Sequence, residues 1–166
     1  MSSPAASVRA TERSDIPALK AVIDTSDLFP SEMLDDMIAP FFNVAATDEE
    51  PRPEWLTLVD PASGPVGVAY AIHEKLTDRT WNLLLIAVHG DKRGRGLGSL
   101  LLGEVERVLK TQRDARILLV ETSSTEAYSS TRRFYEKRGY ARVAQIPEFY
   151  EDGDDKIVFH RRLGSL

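Results

Sequence analysis

The sequence predicts a single α/β domain with a central mixed sheet of about six or seven strands and about four flanking helices. Its 166 residues, 42% of them hydrophobic, are enough for one domain with its own core. Strand-like apolar segments alternate with segments whose apolar residues recur every three or four positions. One such helical segment separates the apolar runs "LLLIAV" and "ILLVE", which predicts a parallel pair of strands in the middle of the sheet.

The whole chain, residues 1–166, is expected to form this one domain without internal repeats. We expect residues 1–6 to be a disordered start and residues 11–46 to contain two helices. Residues 54–121 are expected to form the centre of the sheet, and residues 126–163 a last helix and a hairpin.

The first part of the chain predicts a short strand and two helices. The segment "SVRATERSD" is expected to be a strand followed by a helix cap at Ser14 or Asp15, with Pro17 in the first turn of the helix. A second helix is expected after Pro30, with Ser31 as its cap. Its apolar face would consist of Met33, Leu34, Met37 and Ile38.

Three strand segments follow, "WLTLVD", "VGVAYAIHEKL" and "TWNLLLIAV", and their short polar connections favour an antiparallel meander. Apolar residues at helical spacing then predict an amphipathic helix over residues 96–111. "ARILLVE" is expected to be a buried strand, and "STEAYSSTRRFYEKRGY" a helix that ends at Gly139. The segments "ARVAQI" and "DKIVFHRRL" predict a final hairpin around the loop "PEFYEDGD".

Composition excludes several classes of function. The formal net charge of −5 argues against a general nucleic-acid binder. The absence of cysteine excludes disulfides, thiolate metal sites and a cysteine nucleophile, and it fits a reducing cytosol. The three histidines lack metal-ligand spacing. The opening "MSSPAAS" lacks the features of a signal peptide, and no apolar run approaches the ~20 residues of a membrane helix. We therefore expect a cytoplasmic protein with no metal, nucleic-acid or membrane partner.

The stretch "DKRGRGLGSLL" places three glycines and several cations between a strand and a helix. The first amides of a helix have no partner within the helix and carry the positive end of its dipole, so such a loop can hold an anion. Lys92, Arg93 and Arg95 add positive charge. The alternative is a turn whose glycines only permit close packing. Spacing excludes both G-x-G-x-x-G and G-x-x-x-x-G-K-[ST].

"RGRGLG", residues 93–98, resembles the R/Q-x-x-G-x-G/A pyrophosphate loop of the GNAT superfamily of N-acetyltransferases. "YSSTRRFYEKRGY", residues 128–140, is similar to a later helix of that family, which ends in a tyrosine, three residues, a glycine and an aromatic. The resemblance covers residues 54–163 and implies a GNAT-like fold. Residues 11–46 would be the variable substrate-side region, and residues 54–121 the cofactor-binding core.

The resemblance implies acetyl-CoA as the co-substrate, with its pyrophosphate on the amides of residues 93–99 and its pantetheine chain paired with the strand backbone. The implied cofactor-binding residues are Leu85, Ile86, Ala87, Val88, Arg93, Gly94, Arg95, Gly96, Leu97, Gly98, Ser99, Tyr128 and Arg132. Two positions depart from the family pattern. Gly90 stands where a proline is frequent, and Tyr128 where an asparagine is frequent, which puts the asparagine contact to the cofactor in doubt.

Acetyl transfer to an amine requires a base, because an alkyl amine with a pKa near ~10.4 is protonated at neutral pH. The departing thiolate, with a pKa of about 8.5, leaves more easily if a hydroxyl protonates it. Tyr135 occupies the position of the GNAT general acid and is assigned that catalytic role. The alternative for Tyr135 is a core aromatic with a satisfied hydroxyl.

Glu121 is the first candidate for the catalytic base, because it ends "ILLVE" at the carboxyl edge of the parallel pair. It could instead face water or bond the hydroxyls of "TSS". His73 and Glu74, expected on opposite faces of the sheet, are alternatives, and a base acting through water is a third. The absence of a cysteine and of G-x-S-x-G favours direct transfer over an acyl-enzyme.

The acceptor site is expected at "PEFYEDGDD", which concentrates five carboxylates and two aromatics. In GNAT folds this loop borders the acceptor. The expected acceptor is a cationic small-molecule amine or basic side chain. It would be held by Glu148, Asp154 or Asp155, with Phe149 or Tyr150 against its apolar part. A solvated acidic turn is the alternative.

Two other classes of protein remain open at this stage. One is a non-catalytic module of GNAT-like fold that binds acyl-CoA or a protein partner, which would tolerate the loss of Tyr135 and Glu121. The other is an unrelated α/β phosphate binder, which would prefer adenine nucleotides to coenzyme A. Family members often form dimers, so a homodimer is possible, although no residue here fixes that.

Overall fold

A computed structural model describes residues 5–26, 28–43 and 51–164 of the chain. Most of the predicted disordered start and residues 44–46 of the predicted substrate-side region lie outside these ranges. The strands are β1 Ser7–Ala10, β2 Glu54–Asp60, β3 Gly64–His73, β4 Thr80–Val88, β5 Ile117–Ser123, β6 Ala141–Glu151 and β7 Asp154–Arg162. The helices are α1 Ile16–Asp24, α2 Leu34–Asn43, α3 Leu97–Gln112 and α4 Ser129–Lys137.

All seven described strands belong to one sheet, in the order β1-β2-β3-β4-β5-β7-β6. β1 to β4 form an antiparallel meander, β4 and β5 are parallel, and β5, β7 and β6 are again antiparallel. The predicted mixed sheet, its parallel pair and its four helices are confirmed. The parallel pair arises because α3 crosses over the sheet between β4 and β5.

Each face of the sheet packs against one pair of helices. α1 and α2 cover one face with the buried side chains Leu19, Val22, Ile23, Leu34 and Ile38, which pack on Trp55, Val68, Leu85 and Ala87. α3 and α4 cover the other face, where Leu101, Leu102, Val105, Leu109 and Tyr135 pack on Leu83, Leu118, Val120 and Phe159. These two cores fix the positions of the strands that border the site.

A bulge in β4 changes which side chains face each core. Tyr70 pairs with Leu85 while Ala71 pairs with Leu83, so Leu84 is an extra residue in β4. Leu83 therefore packs under α3, whereas Leu85 packs under α1 and α2. Leu84 itself is 46% exposed.

β4 and β5 separate beyond this bulge. Their parallel pairing runs from Thr80↔Ile117 to Leu83↔Val120 and stops there. Within the described residues, no strand lies on the β5 side of residues 84–88. The backbone of β4 therefore borders an opening between the two strands.

Asp15 lies at the N-cap of α1 and Pro17 in its first turn, as predicted, but the Asp15 carboxylate makes no cap bond to this helix. It is buried and accepts instead from Arg9, the amide of Glu12 and Thr57. The predicted cap of α2 is wrong, because Ser31 begins a short 3₁₀ turn and lies three residues ahead of the first residue of that helix. Met33, expected on the apolar face, is 51% exposed because it lies in that turn rather than in the helix.

The C-terminal hairpin also differs from the prediction. The segment "PEFYEDGD" is not a loop, because β6 continues to Glu151 and the turn is limited to Asp152 and Gly153, whose φ is 81°. Every residue of β6 is exposed, so its sequence lacks the alternation by which a half-buried strand is predicted. The strand predicted to reach Leu76 ends at His73, since Leu76 is exposed and has a φ of 63°.

Candidate active site

The glycine loop shapes the entrance to α3. Gly94 and Gly96 have φ values of 75° and 76°, in the left-handed region that favours glycine. Because α3 begins at Leu97, its first amides have no acceptor within the helix. They border a cavity of about 260 Å³ that is lined by Val88, Lys92, Arg93, Gly94, Gly96, Leu97, Gly98, Ser99 and Phe134.

Two of the three cations near this loop are already engaged. Lys92 Nζ donates to Asp60 Oδ2 at 3.0 Å, and this bond helps to lower the pKa of Asp60. Arg93 donates from Nε to the carbonyl of Val88 at 3.3 Å and from Nη2 to the carbonyl of Thr25 at 3.0 Å. Arg95 is exposed and makes no ion pair within the described part of the chain.

Gly90 explains one departure from the family pattern. Its amide donates to Thr25 Oγ1 at 2.9 Å, a bond that a proline could not make. A Cβ at Gly90 would lie 3.4 Å from Thr25 Cβ, which is an ordinary contact, so it is the backbone N–H rather than the missing side chain that this position uses. The loop and α1 are therefore joined at this position.

Three cavities form one groove, because neighbouring cavities share lining residues. The loop cavity shares Val88 and Arg93 with a cavity of about 580 Å³ beside β4. That cavity shares Leu28, Ile86, Tyr128 and Thr131 with a third, of about 370 Å³, at the opening between β4 and β5. The groove thus follows the free edge of β4 from the glycine loop to Tyr135 and Glu121.

Tyr135 lies at the inner end of the groove. Its side chain is 2% exposed, and its ring contacts Phe134, Tyr140 and Phe159. No hydrogen-bond partner for its hydroxyl lies within the described residues. Burial raises the pKa of Tyr135 far above its ordinary value, so the hydroxyl keeps its proton at neutral pH. Tyr135 is thus a core aromatic, as the alternative interpretation expected, but its hydroxyl is not bonded to another described residue and is available to a ligand in the cavity.

Glu121 lines the same innermost cavity and is one residue beyond the last parallel pair. It is not the end of its strand, since β5 continues to Ser123. Its Oε2 lies 3.0 Å from Lys156 Nζ, and its Oε1 accepts from Asn82 Nδ2 at 3.2 Å. The alternative that Glu121 bonds the hydroxyls of "TSS" does not hold for Ser123, whose hydroxyl donates to Asp154 Oδ1 at 2.6 Å.

The other candidate bases lie outside the groove. Glu74 lines none of the three cavities, and its Oε1 accepts from Asn82 Nδ2 at 2.9 Å. The ring of His73 packs edge-on against Trp81, with 5.8 Å between the ring centres. Of the candidate bases, Glu121 alone lines the cavity that Tyr135 also lines.

The predicted acceptor residues separate into two groups. Tyr150 and Asp154 line the innermost cavity. Asp155 does not, because its carboxylate accepts from the amide of Glu148 at 2.9 Å and from Gln145, bonds that lower its pKa. Glu148 is exposed, with a φ of 52°, and does not line the cavity either.

Tyr128 and Arg132 flank the groove differently. Tyr128 lines both the middle and the innermost cavity. Arg132 Nη1 instead donates to the carbonyls of Ser123 and Thr125, at 2.7 and 2.8 Å, and so ties α4 to the loop after β5. The predicted contact between Arg132 and a cofactor stays a prediction.

Several residues that line or support the site were not among the sequence-based candidates, including Thr131 and the three described next. Leu28 lines two of the cavities from the segment between α1 and α2. Lys156 pairs with Glu121, and Asn82 bonds it from β4. Of these three, only Asn82 could have been noticed in the sequence, because it is the one amide side chain in the mainly apolar strand "TWNLLLIAV". Leu28 and Lys156 are brought to the site by tertiary structure.

Neither a membrane-spanning helix nor a cluster of metal ligands is found in the part of the chain that the structure describes. No helix there is long and apolar enough to span a bilayer. No group of three or more histidine, aspartate or glutamate side chains there is placed to hold a metal ion.

Comparison with known proteins identifies related sequences. A family model for the acetyltransferase (GNAT) domain matches residues 53–142, more than half of the chain. The chain is 28% identical over 81 residues to an uncharacterized N-acetyltransferase of Methanocaldococcus jannaschii. That match covers 49% of this chain and 51% of the relative, so it spans about half the length of that protein.

Solved structures have the same fold over nearly the whole chain. An acetyltransferase from Desulfovibrio desulfuricans, assigned to the GNAT family, is 26% identical with a TM-score of 0.86, over 96% of this chain and 100% of that one. The spermidine/spermine N-acetyltransferase of Vibrio cholerae is 14% identical with a TM-score of 0.73, over 95% of this chain and 92% of that one. The second likeness concerns the fold alone.

Proposed function

The chain belongs to the GNAT acetyltransferase family and is an acyltransferase, and from this premise we propose that it transfers the acetyl group of acetyl-CoA directly to a primary amine. The acceptor would be a cationic small molecule or a basic side chain. One observation carries the proposal: a continuous groove runs from the glycine loop along the free edge of β4 to Tyr135 and Glu121. We also propose a cytoplasmic location, which the cysteine-free composition favours.

The residues present fit acetyl-CoA. The first amides of α3 and the exposed Arg95 would bind the pyrophosphate, and no protein atom lies within 4 Å of a Cβ built at Gly94 or Gly96. The backbone of residues 85–88 would bond the amides of the pantetheine chain, since no strand of the described chain lies on that side. Tyr128 would line the path of the chain, and Arg93 would have to release the carbonyl of Val88.

Acetyl-CoA would supply the acetyl group as a thioester. Glu121 would accept the proton that the amine must lose before or during attack on the carbonyl carbon, directly or through one water. As the new carbon–nitrogen bond forms and the carbon–sulfur bond breaks, Tyr135 would donate its hydroxyl proton to the sulfur. The raised pKa of Tyr135 keeps that proton in place until the thiolate develops.

The proposed acceptor is a cation because carboxylates and aromatic rings border the inner cavity. Asp154, Glu121 and Tyr150 line it, and a ring face next to carboxylates favours an ammonium group. The name of the Vibrio cholerae neighbour states that it acetylates spermidine and spermine, which are amines of this class. Glu148 and Asp155 would act only at longer range, through their charge.

The proposal is tested by calorimetric titration of the protein with acetyl-CoA, ATP and NAD. We expect binding of acetyl-CoA that is at least tenfold tighter than that of the two nucleotides. Gly98→Val should abolish it, because the added side chain would enter the loop cavity. Gly103→Ala is the matched control, as Gly103 lies in α3 but lines none of the three cavities.

Acceptor screening would follow with polyamines, amino sugars and lysine peptides. Acetylation of one class of amine, followed by release of free thiol, would support the proposed reaction. Equal binding of ATP and acetyl-CoA would contradict it, and so would acetyl-CoA binding that is unaffected by Gly98→Val. Binding without acetylation of any amine would favour a non-catalytic acyl-CoA module.

A further inference from the structure

Asn82 is a buried polar side chain in an apolar strand. It lies in β4 between Trp81 and Leu83, which both pack under α3, and it is 2% exposed. Its Oδ1 is buried and has no hydrogen-bond partner within the described residues. A buried carbonyl without a partner disfavours folding, so this oxygen of Asn82 carries a cost in stability.

The amide nitrogen of Asn82 is shared by two carboxylates. It donates to Glu74 Oε1 at 2.9 Å and to Glu121 Oε1 at 3.2 Å. Ionised carboxylates can only accept hydrogen bonds, so the amide must present nitrogen rather than oxygen to them. This requirement leaves Oδ1 pointing away without a partner. The same orientation of the Asn82 amide therefore gives the two hydrogen bonds to the carboxylates and leaves Oδ1 unpaired, which lowers stability.

We propose that Asn82 is a positioning residue that holds the carboxylate of Glu121 toward the inner cavity and links it to Glu74. This inference rests on the proposed function, in which Glu121 is the base. Glu121 is fixed at both oxygens, at Oε1 by the neutral amide of Asn82 and at Oε2 by Lys156. A long glutamate side chain otherwise samples several rotamers, and fixing it before the acceptor arrives favours reaction.

Charged groups from several elements face Glu121. Lys156 on β7 forms the ion pair, and Glu74, directly after β3, shares the amide. Tyr150 on β6 is also near, since burial and then the charge of Glu121 raise the pKa of Tyr150. Asp154 also lines the cavity. A change of charge at position 74 or 82 should therefore alter how readily Glu121 takes a proton.

The first test replaces Asn82 by leucine, whose side chain has the same number and branching of heavy atoms but no hydrogen-bonding group. We expect Asn82→Leu to lower kcat/KM for the acceptor at least tenfold through kcat, while the affinity for acetyl-CoA stays within twofold. The Tm should change little, because removal of the orphaned carbonyl offsets the loss of the two hydrogen bonds that the amide donates. A residue needed only for structure would lower the Tm instead.

The second test measures the pH profile of kcat/KM in two variants of opposite sign. Asn82→Asp adds a negative charge beside Glu121 and should shift the acidic limb to higher pH by about half a unit or more. Glu74→Gln removes a negative charge but keeps the acceptor oxygen, and it should shift the limb to lower pH. Two shifts in the same direction would overturn the proposal.

Glu121→Gln separates this inference from the proposed function. If Glu121→Gln keeps full activity, the assignment of the base is wrong and the role of Asn82 is overturned with it. If Glu121→Gln loses activity while Asn82→Leu keeps its rate, the base assignment stands and the inference about Asn82 is wrong. Loss of Tm and of acetyl-CoA affinity in Asn82→Leu would also overturn it, because Asn82 would then be a structural residue.

Discussion

The ammonium group of Lys156 lies 3.0 Å from Oε2 of Glu121, so the proposed base is already paired with a cation of the same chain. The same ammonium lies 3.7 Å from the centre of the Phe149 ring, and the Lys156 side chain is only 12% exposed. A carboxylate and an aromatic face are the two partners that an acceptor ammonium would need. Lys156 thus occupies a place for which a cationic acceptor must compete.

Lys156→Met should lower the KM of a cationic acceptor by about threefold or more, because it frees both partners while keeping an apolar stem. Steady-state kinetics at saturating acetyl-CoA would measure this. Lys156→Arg is the control and should leave the KM near that of the unaltered protein. A rise in KM with Lys156→Met would mean that the lysine helps to bind the acceptor.

Tyr135→Phe should lower kcat by about 100-fold, because the proposed proton donor to the thiolate is lost. The Tm should change little, since the hydroxyl has no partner within the described residues. Tyr140→Phe is a matched control, as Tyr140 donates to Glu106 at 2.8 Å and lies outside the groove. It should cost about 1 kcal/mol of stability but leave kcat unchanged. Equal rates for both variants would exclude Tyr135 as the acid.

Asp15→Asn should destabilise the protein by roughly 1–3 kcal/mol at pH 7. Burial raises the pKa of Asp15, but hydrogen bonds from Arg9, the Glu12 amide and Thr57 outweigh it and leave the pKa below its ordinary value. The contribution of the carboxylate is therefore complete above the pKa of the unfolded chain, about 3.9, and is lost as the pH falls through the lower folded value.

Urea unfolding at pH 7 and pH 3 tests this expectation. The difference in free energy of unfolding between the unaltered protein and Asp15→Asn should narrow at pH 3. Asp35→Asn is the control, because its exposed ion pair with Lys20 should contribute under about 1 kcal/mol at either pH. A difference that does not depend on pH would contradict a role for the ionised carboxylate.

Gly67→Ala should destabilise the sheet by about 1–3 kcal/mol. An added Cβ would lie 3.0 Å from Leu58 Cβ and 3.1 Å from the carbonyl of Ala87, neither of which can move without shifting a strand. Gly103→Ala in α3 should instead stabilise the protein, because alanine favours a helix more than glycine does. Thermal unfolding of the two variants measures both effects, and a stable Gly67→Ala would show that β3 can move away from β2.

The elements with strong periodicity were predicted well from the sequence. "TWNLLLIAV" corresponds to the observed β4, and the helix predicted over residues 96–111 is observed as Leu97–Gln112. The bulge at Leu84 could not be predicted, because an unbroken apolar run contains no information about which face each residue takes. The length of β6 was missed for the related reason that neither of its faces is buried.

The site was predictable only where one segment contains it. The glycine loop is local, and its positive φ values at Gly94 and Gly96 follow from the residue type. The bonds of Glu121 to Lys156 and Asn82 depend on the pairing of three strands, which no local pattern encodes. Whether the hydroxyl of Tyr135 has a partner likewise depends on residues distant in the sequence.

The separation of β4 from β5 bears on self-association. An unpaired strand edge is a template for aggregation when it lies at the margin of a sheet. The edge of residues 84–88 instead lies inside the fold, where the segment after α1, the turn before α4 and the first residues of α4 line the cavity beside it. β6 lies at the outer margin of the sheet and is exposed. Pro147 and the charged side chains of Arg142 and Glu148 disfavour the pairing of β6 with a strand of another molecule. The free edge of β4 is thus protected by its surroundings, and the edge of β6 by its own residues.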